Sequence, residues 1–217
     1  MAPRVHRPSV PGDLGDPPDL WARGATLAML ATVGIDGDEY ELATDRLRCD
    51  NAGGSYWWRL TLHGQGRAVF CGQDADGSHG HLRAEPVDFL AGGPAWLPLD
   101  ELRAEQHKQL LGYVYWWESG AWHRAPYPED LPDDGLELSA GWVIADEEVA
   151  EQLWEAVERG HNAGEAVAAF LDRARARTVD EAAVTELLSA FSPAEPPKPQ
   201  EVATALEFAT RAALTAA

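Results

Sequence analysis

Lysine is nearly missing from this chain, occurring only at Lys108 and Lys198. Seventeen basic residues stand against 36 acidic ones, for a net charge of −19. A surface of that sign repels nucleic-acid phosphates and anionic lipid headgroups, so neither nucleic acid nor a membrane is expected as a partner. It suits a protein partner of basic character, and it also serves plain solubility. Cysteine is scarce as well. Cys49 and Cys71 cannot build a disulfide framework. They flank the central strands and read either as a pair facing across a sheet or as two small buried hydrophobes of a reducing compartment, the second being preferred. No run approaches the ~20 apolar residues of a membrane span. The first residues carry charge and proline but no apolar signal-peptide core, so the expected location is cytoplasmic. A nucleophile elbow, a phosphate-binding loop and a dinucleotide fingerprint are all missing, and no cofactor is expected.

The 217 residues are 45% hydrophobic and 9% aromatic, which suits a folded chain with a sizeable core. The densest information lies between Gly53 and His81. Trp58, Leu60 and Leu62 alternate with Trp57, Arg59, Thr61 and His63, as on the two faces of a strand. Gly64-Gln65-Gly66 supplies a reversal. The return run places Ala68 and Phe70 on one side, Val69 and Cys71 on the other. A second aromatic hairpin is expected from Tyr113 to Trp117, through Ser119-Gly120, to Ala121-Trp122-His123.

Around these hairpins the chain divides into an irregular arm (1–20), a β-rich α+β domain (21–145), a helical subdomain packed on it (146–192) and a Pro-rich linker with a terminal helix (193–217). Thr26 to Ile35 suits a buried strand, with a short helix through Ala25–Leu30 as the alternative. Asp36-Gly37 reads as a hairpin turn into a strand from Glu39, and a further strand is expected at Arg46–Cys49. Asp100 is the expected N-cap of a helix through Leu111, and Leu136 to Ile144 reads as a last strand. Three helices follow: one with Val149, Leu153, Trp154 and Val157 inward and stopped by Gly160, one opened by a capping box at Asn162–Glu165, and one opened at Thr178–Glu181. The terminal helix carries Val202, Leu206 and Ala209 on one stripe. Docking on its own chain is the ordinary outcome for such a helix, and docking on a partner or a second copy is the alternative. The fold class is α+β: an antiparallel twisted sheet of hairpins packed with helices, plus a C-terminal helical extension.

Candidate chemistry concentrates in the loop after the first hairpin. Asp74, Asp76 and Glu85 have something of a calcium loop's spacing, but glycine is displaced from the sixth position, where His79 stands. His79 and His81 have a workable transition-metal spacing, yet no second ligand pair accompanies them. Asp74, Asp76, His79 and His81 are therefore a candidate metal set whose plain alternative is a polar turn. His63, before a glycine-rich turn, joins them in the reading of an enzyme or small-molecule binder. The nine tryptophans are the other anomaly. Neighbouring Trp residues on one strand point to opposite faces, so either both faces are covered, which is preferred, or one is a binding surface. The leading functional expectation is a non-enzymatic protein-binding protein of adaptor or immunity/antitoxin type. Trp57, Trp116 and Trp122 would form its contact surface, and Asp130, Asp133 and Asp134 an acidic rim. A self-assembling subunit that exchanges its terminal helix is a third reading.

Overall fold

Pro17 and Pro18 open the first long helix, where a missing N–H costs nothing. The computed structural model describes residues 5–153, 163–192 and 194–216. In it α1 runs from Pro17 to Ala31, and every residue from Leu20 to Leu30 is buried. The stretch from Thr26 is thus helix as far as Ala31, not the expected strand. A helix enclosed on all sides loses the polar stripe that would reveal its period, and its apolar run then mimics a buried strand. The small residues decide its placement. A Cβ at Gly24 would come within 2.8 Å of the Trp58 ring and 3.0 Å of Leu47, so glycine lets α1 lie directly on the sheet.

The sheet has six antiparallel strands in sequence order: β1 (Glu39–Leu42), β2 (Arg46–Asp50), β3 (Tyr56–His63), β4 (Arg67–Asp74), β5 (Tyr113–Glu118) and β6 (Ala121–Arg124). The β3–β4 hairpin pairs Tyr56 with Asp74 and His63 with Arg67. It turns through Gly64–Gly66, where Gln65 and Gly66 both take positive φ. Ser119 and Gly120 do the same between β5 and β6, the backbone twist that a tight hairpin requires. The expected alternation holds. Trp58, Leu60, Ala68 and Phe70 face one layer, while Trp57, Val69 and Cys71 face the other.

On the first face α1 and α3 (Leu136–Ala140) lie against the strands, and α4 (Asp146–Gln152), α5 (Ala163–Ala176), α6 (Glu181–Phe191) and α7 (Pro199–Arg211) thicken the layer by packing on α1 and on one another. One apolar cluster runs through this layer from Leu14 to Leu214. The second face is covered by the 87–111 segment, including α2 (Leu99–His107), through Val87, Phe89, Leu90, Leu97 and Leu102. The chain is therefore an α+β fold with both faces of the sheet occupied. Among the described residues no helix is long and apolar enough to cross a membrane.

Several local expectations are revised. Residues 136–144 form α3 and a 3₁₀ turn in place of a strand, because Gly135 at φ 84° and the Ser139 hydroxyl bonded to the Gly135 carbonyl at 2.8 Å start a helix. Asp36-Gly37 joins helix to strand, not strand to strand. Asp100 lies inside the first turn of α2, which starts at Leu99 without a side-chain cap and ends at His107. The cap of α6 is Asp180, accepting the Ala183 amide at 2.8 Å. Val149 and Leu153 are buried as expected, and Trp154, Val157, Gly160 and Asn162 lie outside the described residues. The terminal helix α7 docks on α1 and α6 of its own chain. Trp21 seals the join by donating its indole N–H to the Ala212 carbonyl at 2.9 Å.

Candidate binding cleft

The tryptophans singled out for a contact surface are interior. Trp57, Trp116 and Trp122 are 8%, 6% and 5% exposed. Two guanidinium groups pack over the Trp57 ring, Arg48 at 4.4 Å and Arg59 at 5.6 Å from its centre. Trp116 stacks on His123, and Trp122 packs edge-on to Trp117 while donating its N–H to the Gly15 carbonyl at 2.7 Å. The exposed aromatic surface is not formed, since both sheet faces are covered. The acidic rim does not form as a unit either. Asp130 is exposed and paired with Arg83 at 2.8 Å, but Asp133 and Asp134 are buried.

Asp134 is instead an internal anchor. It accepts the hydroxyl and the amide of Ser9, and the Ser9 hydroxyl also meets the Tyr115 hydroxyl at 2.7 Å. The Asp134 carbonyl accepts the Ser78 hydroxyl at 3.0 Å. Burial raises the Asp134 carboxyl above the ordinary carboxylate range, opposed by these donors. Asp133 accepts the Gly135 amide at 2.8 Å. The pair thus ties the N-terminal arm and the 74–78 loop to the start of α3.

The expected metal set is likewise dispersed. Asp74 turns inward, its Oδ1 accepting the amides of Asp76 at 2.9 Å and Gly77 at 2.7 Å, which is the self-bonded polar turn. Asp76 points to solvent, and His79 and His81 are half-buried. Among the described residues no group of three or more His, Cys, Asp or Glu side chains could hold a metal ion. His63 stands at the other end of the β3–β4 hairpin from Asp74. At ~3.3 Å per residue the two ends are about 23 Å apart, too far to share a site. His63 packs edge-on to Trp96 at 5.6 Å, and burial lowers its pKa. Cys49 and Cys71 are both free and buried, but on opposite faces of the sheet, so they do not face each other.

Among the described residues, two clefts are open to a ligand. The smaller, about 270 Å³, is lined by His81, Asp88, Phe89, Gln106, His107 and Leu111. The larger, about 670 Å³, lies between the α1–β1 turn and the linker joining α6 to α7. Val33, Ile35, Leu188 and Phe191 give it an apolar lining, and Asp36, Glu195, Lys198 and Glu201 stand around it. Gly34 at φ 76° turns the chain out of α1 and brings Ile35 and Asp36 to the wall. On the opposite side Lys198 and Glu201 begin α7. Glu201 accepts the Lys198 amide at 3.0 Å and its ammonium at 2.9 Å.

Asp36 is the most constrained group in this cleft. It is 7% exposed, and its carboxylate accepts the Asp38 amide at 2.9 Å and the Tyr40 hydroxyl at 3.1 Å. Burial raises its pKa, and the neighbouring charge of Asp38 adds to the rise. Asp38 in turn accepts from the Tyr56 hydroxyl, from Asn51 at 2.9 Å and from the Cys49 thiol at 3.7 Å. Sequence reasoning missed this cleft. Asp36-Gly37 read as a turn and the Pro-rich segment as a linker, and only the docking of α7 on α1 brings the two together.

No protein-family model, curated protein or solved structure matches this chain.

Proposed function

We propose that this chain is a non-enzymatic, cytoplasmic protein-binding protein of adaptor or immunity/antitoxin type, and that its contact site is the cleft beside Asp36. The observation that carries this reading is the cleft's composition: an apolar lining with three carboxylates around it, on a chain of net charge −19. An apolar centre with a polar margin is the ordinary anatomy of a protein interface. Charge of one sign adds steering toward a partner of the other. The tryptophans contribute by stiffening the sheet behind the cleft, where Trp58 supports α1 and packs edge-on to Tyr40 at 6.3 Å.

Native mass measurement on untagged protein from its own cells tests the reading. The expected result is a complex of fixed stoichiometry with a second protein, dissociating as salt is raised from about 0.05 to 0.5 M because exposed charge pairs are screened. A chain that remains alone at every ionic strength overturns it. A second reading, a small-molecule binder, draws on the 270 Å³ cleft, where His81, Gln106 and His107 offer polar groups around Phe89 and Leu111. A retained mass of about 0.3 kDa or less would favour that reading, since a cleft of about 270 Å³ lies at the lower end of ligand-pocket sizes.

A further inference from the structure

We propose that the cleft beside Asp36 receives an arginine or lysine side chain carried on an extended, partly apolar segment of the protein partner. The proposal rests on the protein-binding reading and specifies the chemistry of its site.

The argument begins with missing countercharge. Five aspartates are buried: Asp13 and Asp133 lie beside His6 and Arg7, whereas Asp36, Asp74 and Asp134 are met by neutral donors, and of these three it is Asp36 that lines the cleft. Asp36 and Asp38 are two residues apart, and the donors that reach them are an amide, two tyrosine hydroxyls, an asparagine and a thiol, all neutral. Among the described residues neither forms an ion pair with Lys, Arg or His. Withdrawing a carboxylate from water without an opposite charge is costly, and an incoming cation offsets that cost. The one cation around the cleft, Lys198, is engaged by Glu201 at 2.9 Å, and Glu195 is exposed. The cleft therefore keeps surplus negative charge.

Shape adds the second condition. At about 670 Å³ the cleft is larger than one guanidinium or ammonium side chain needs, and Val33, Ile35 and Phe191 offer apolar contact beside Asp36. A cationic side chain with a hydrophobic residue on one or both flanks uses both features. A free metal ion uses neither, and no three-ligand group is present among the described residues.

The test is an amide NMR titration of the full chain with two probes, acetyl-Leu-Arg-Leu-amide and acetyl-Leu-Glu-Leu-amide. With the first, saturable shifts are expected at Gly34, Ile35, Gly37 and Glu195, and with the second, none. Asp36→Asn should weaken binding of the cationic peptide about tenfold and Glu195→Gln about two- to fivefold, as loss of an enclosed and an exposed charge respectively. Should Asp36→Asn fail to fold, Glu195→Gln on the exposed linker still decides. Equal response to both peptides, shifts scattered over surface carboxylates, or no shift in the cleft overturns the proposal. Native mass judges the parent reading separately. A protein complex combined with a silent cleft would move the docking site and leave the binding function standing.

Discussion

Replacing Arg59 by methionine removes the charge that fixes α2 to the sheet while keeping most of the aliphatic stem that packs beside Trp57. Arg59 donates to both oxygens of Glu105, at 2.7 and 3.0 Å, and Glu101 lies 3.3 Å away. The arginine side chain is 5% exposed and that of Glu105 19%. Truncating one partner of a fully buried pair costs about 3–5 kcal/mol, because the survivor stays charged and dry. Glu105 retains some solvent and Glu101 more, so the expected loss for Arg59→Met is nearer 2–3 kcal/mol. Pairing it with Glu105→Gln in a double-mutant cycle should give a coupling of about 2 kcal/mol. The assay is urea unfolding at pH 7 on the wild type, both single variants and the double. The slope against urea should stay constant, so that midpoint shifts report stability alone. The exposed pair Arg103–Asp88, at 2.6 Å with side chains 42% and 45% exposed, is the control, with an expected coupling below about 0.5 kcal/mol. If the two cycles give the same coupling, burial is not what makes the Arg59 pair strong, and the reasoning fails.

Three further outcomes are expected. Gly72→Ala places a Cβ 2.3 Å from the Tyr113 hydroxyl and 2.5 Å from the Trp57 carbonyl, and Tyr113 is fully enclosed, so the variant should lose about 3 kcal/mol or more in urea unfolding. Gly37→Ala, with open space at that position, is the matched control for crowding. For Asp146, burial raises the pKa but the hydrogen bonds and charges of Arg175 and Arg23 prevail and hold it below 3.8. Its stabilisation is therefore present above that pH and lost as pH falls through the folded value, so Asp146→Asn should flatten the acid limb of a stability–pH curve. Asp134 has the opposite sign, its pKa raised above 3.8 by burial. Its contribution is full below that pH and declines as pH rises through the folded value, so wild type should lose stability relative to Asp134→Asn over that window in thermal melts.

What could be read from the residues follows from how far each signal extends along the chain. The β3–β4 hairpin was legible because alternation over Trp57–His63 and Arg67–Cys71 flanks a glycine-rich turn, all within one local stretch. The periods of α5 and α6 were legible because each buries only one stripe. Helix α1 was misread because it has no exposed face to break its apolar run. Asp133 and Asp134 read as surface charges because acidic residues usually are. Nothing local reveals that Ser9, 125 residues earlier, supplies the donors that let Asp134 be buried. The cleft was invisible for the same reason, since residues 33–36 and 188–201 meet only in the folded chain.

The bond from Trp21 to Ala212 spans 191 residues, and it has a consequence for synthesis. The six strands are neighbours in sequence order, so each hairpin can zip as it leaves the ribosome. Helix α1 cannot be finally seated then, because α7, which closes over it, is translated well after the sheet. The face of α1 that α7 covers must wait, exposed, until residues 199–212 are made. Premature termination a few residues short of Ala212 should therefore be far more harmful than the lost mass suggests, leaving a complete sheet with an unsealed helix and a strong tendency to aggregate.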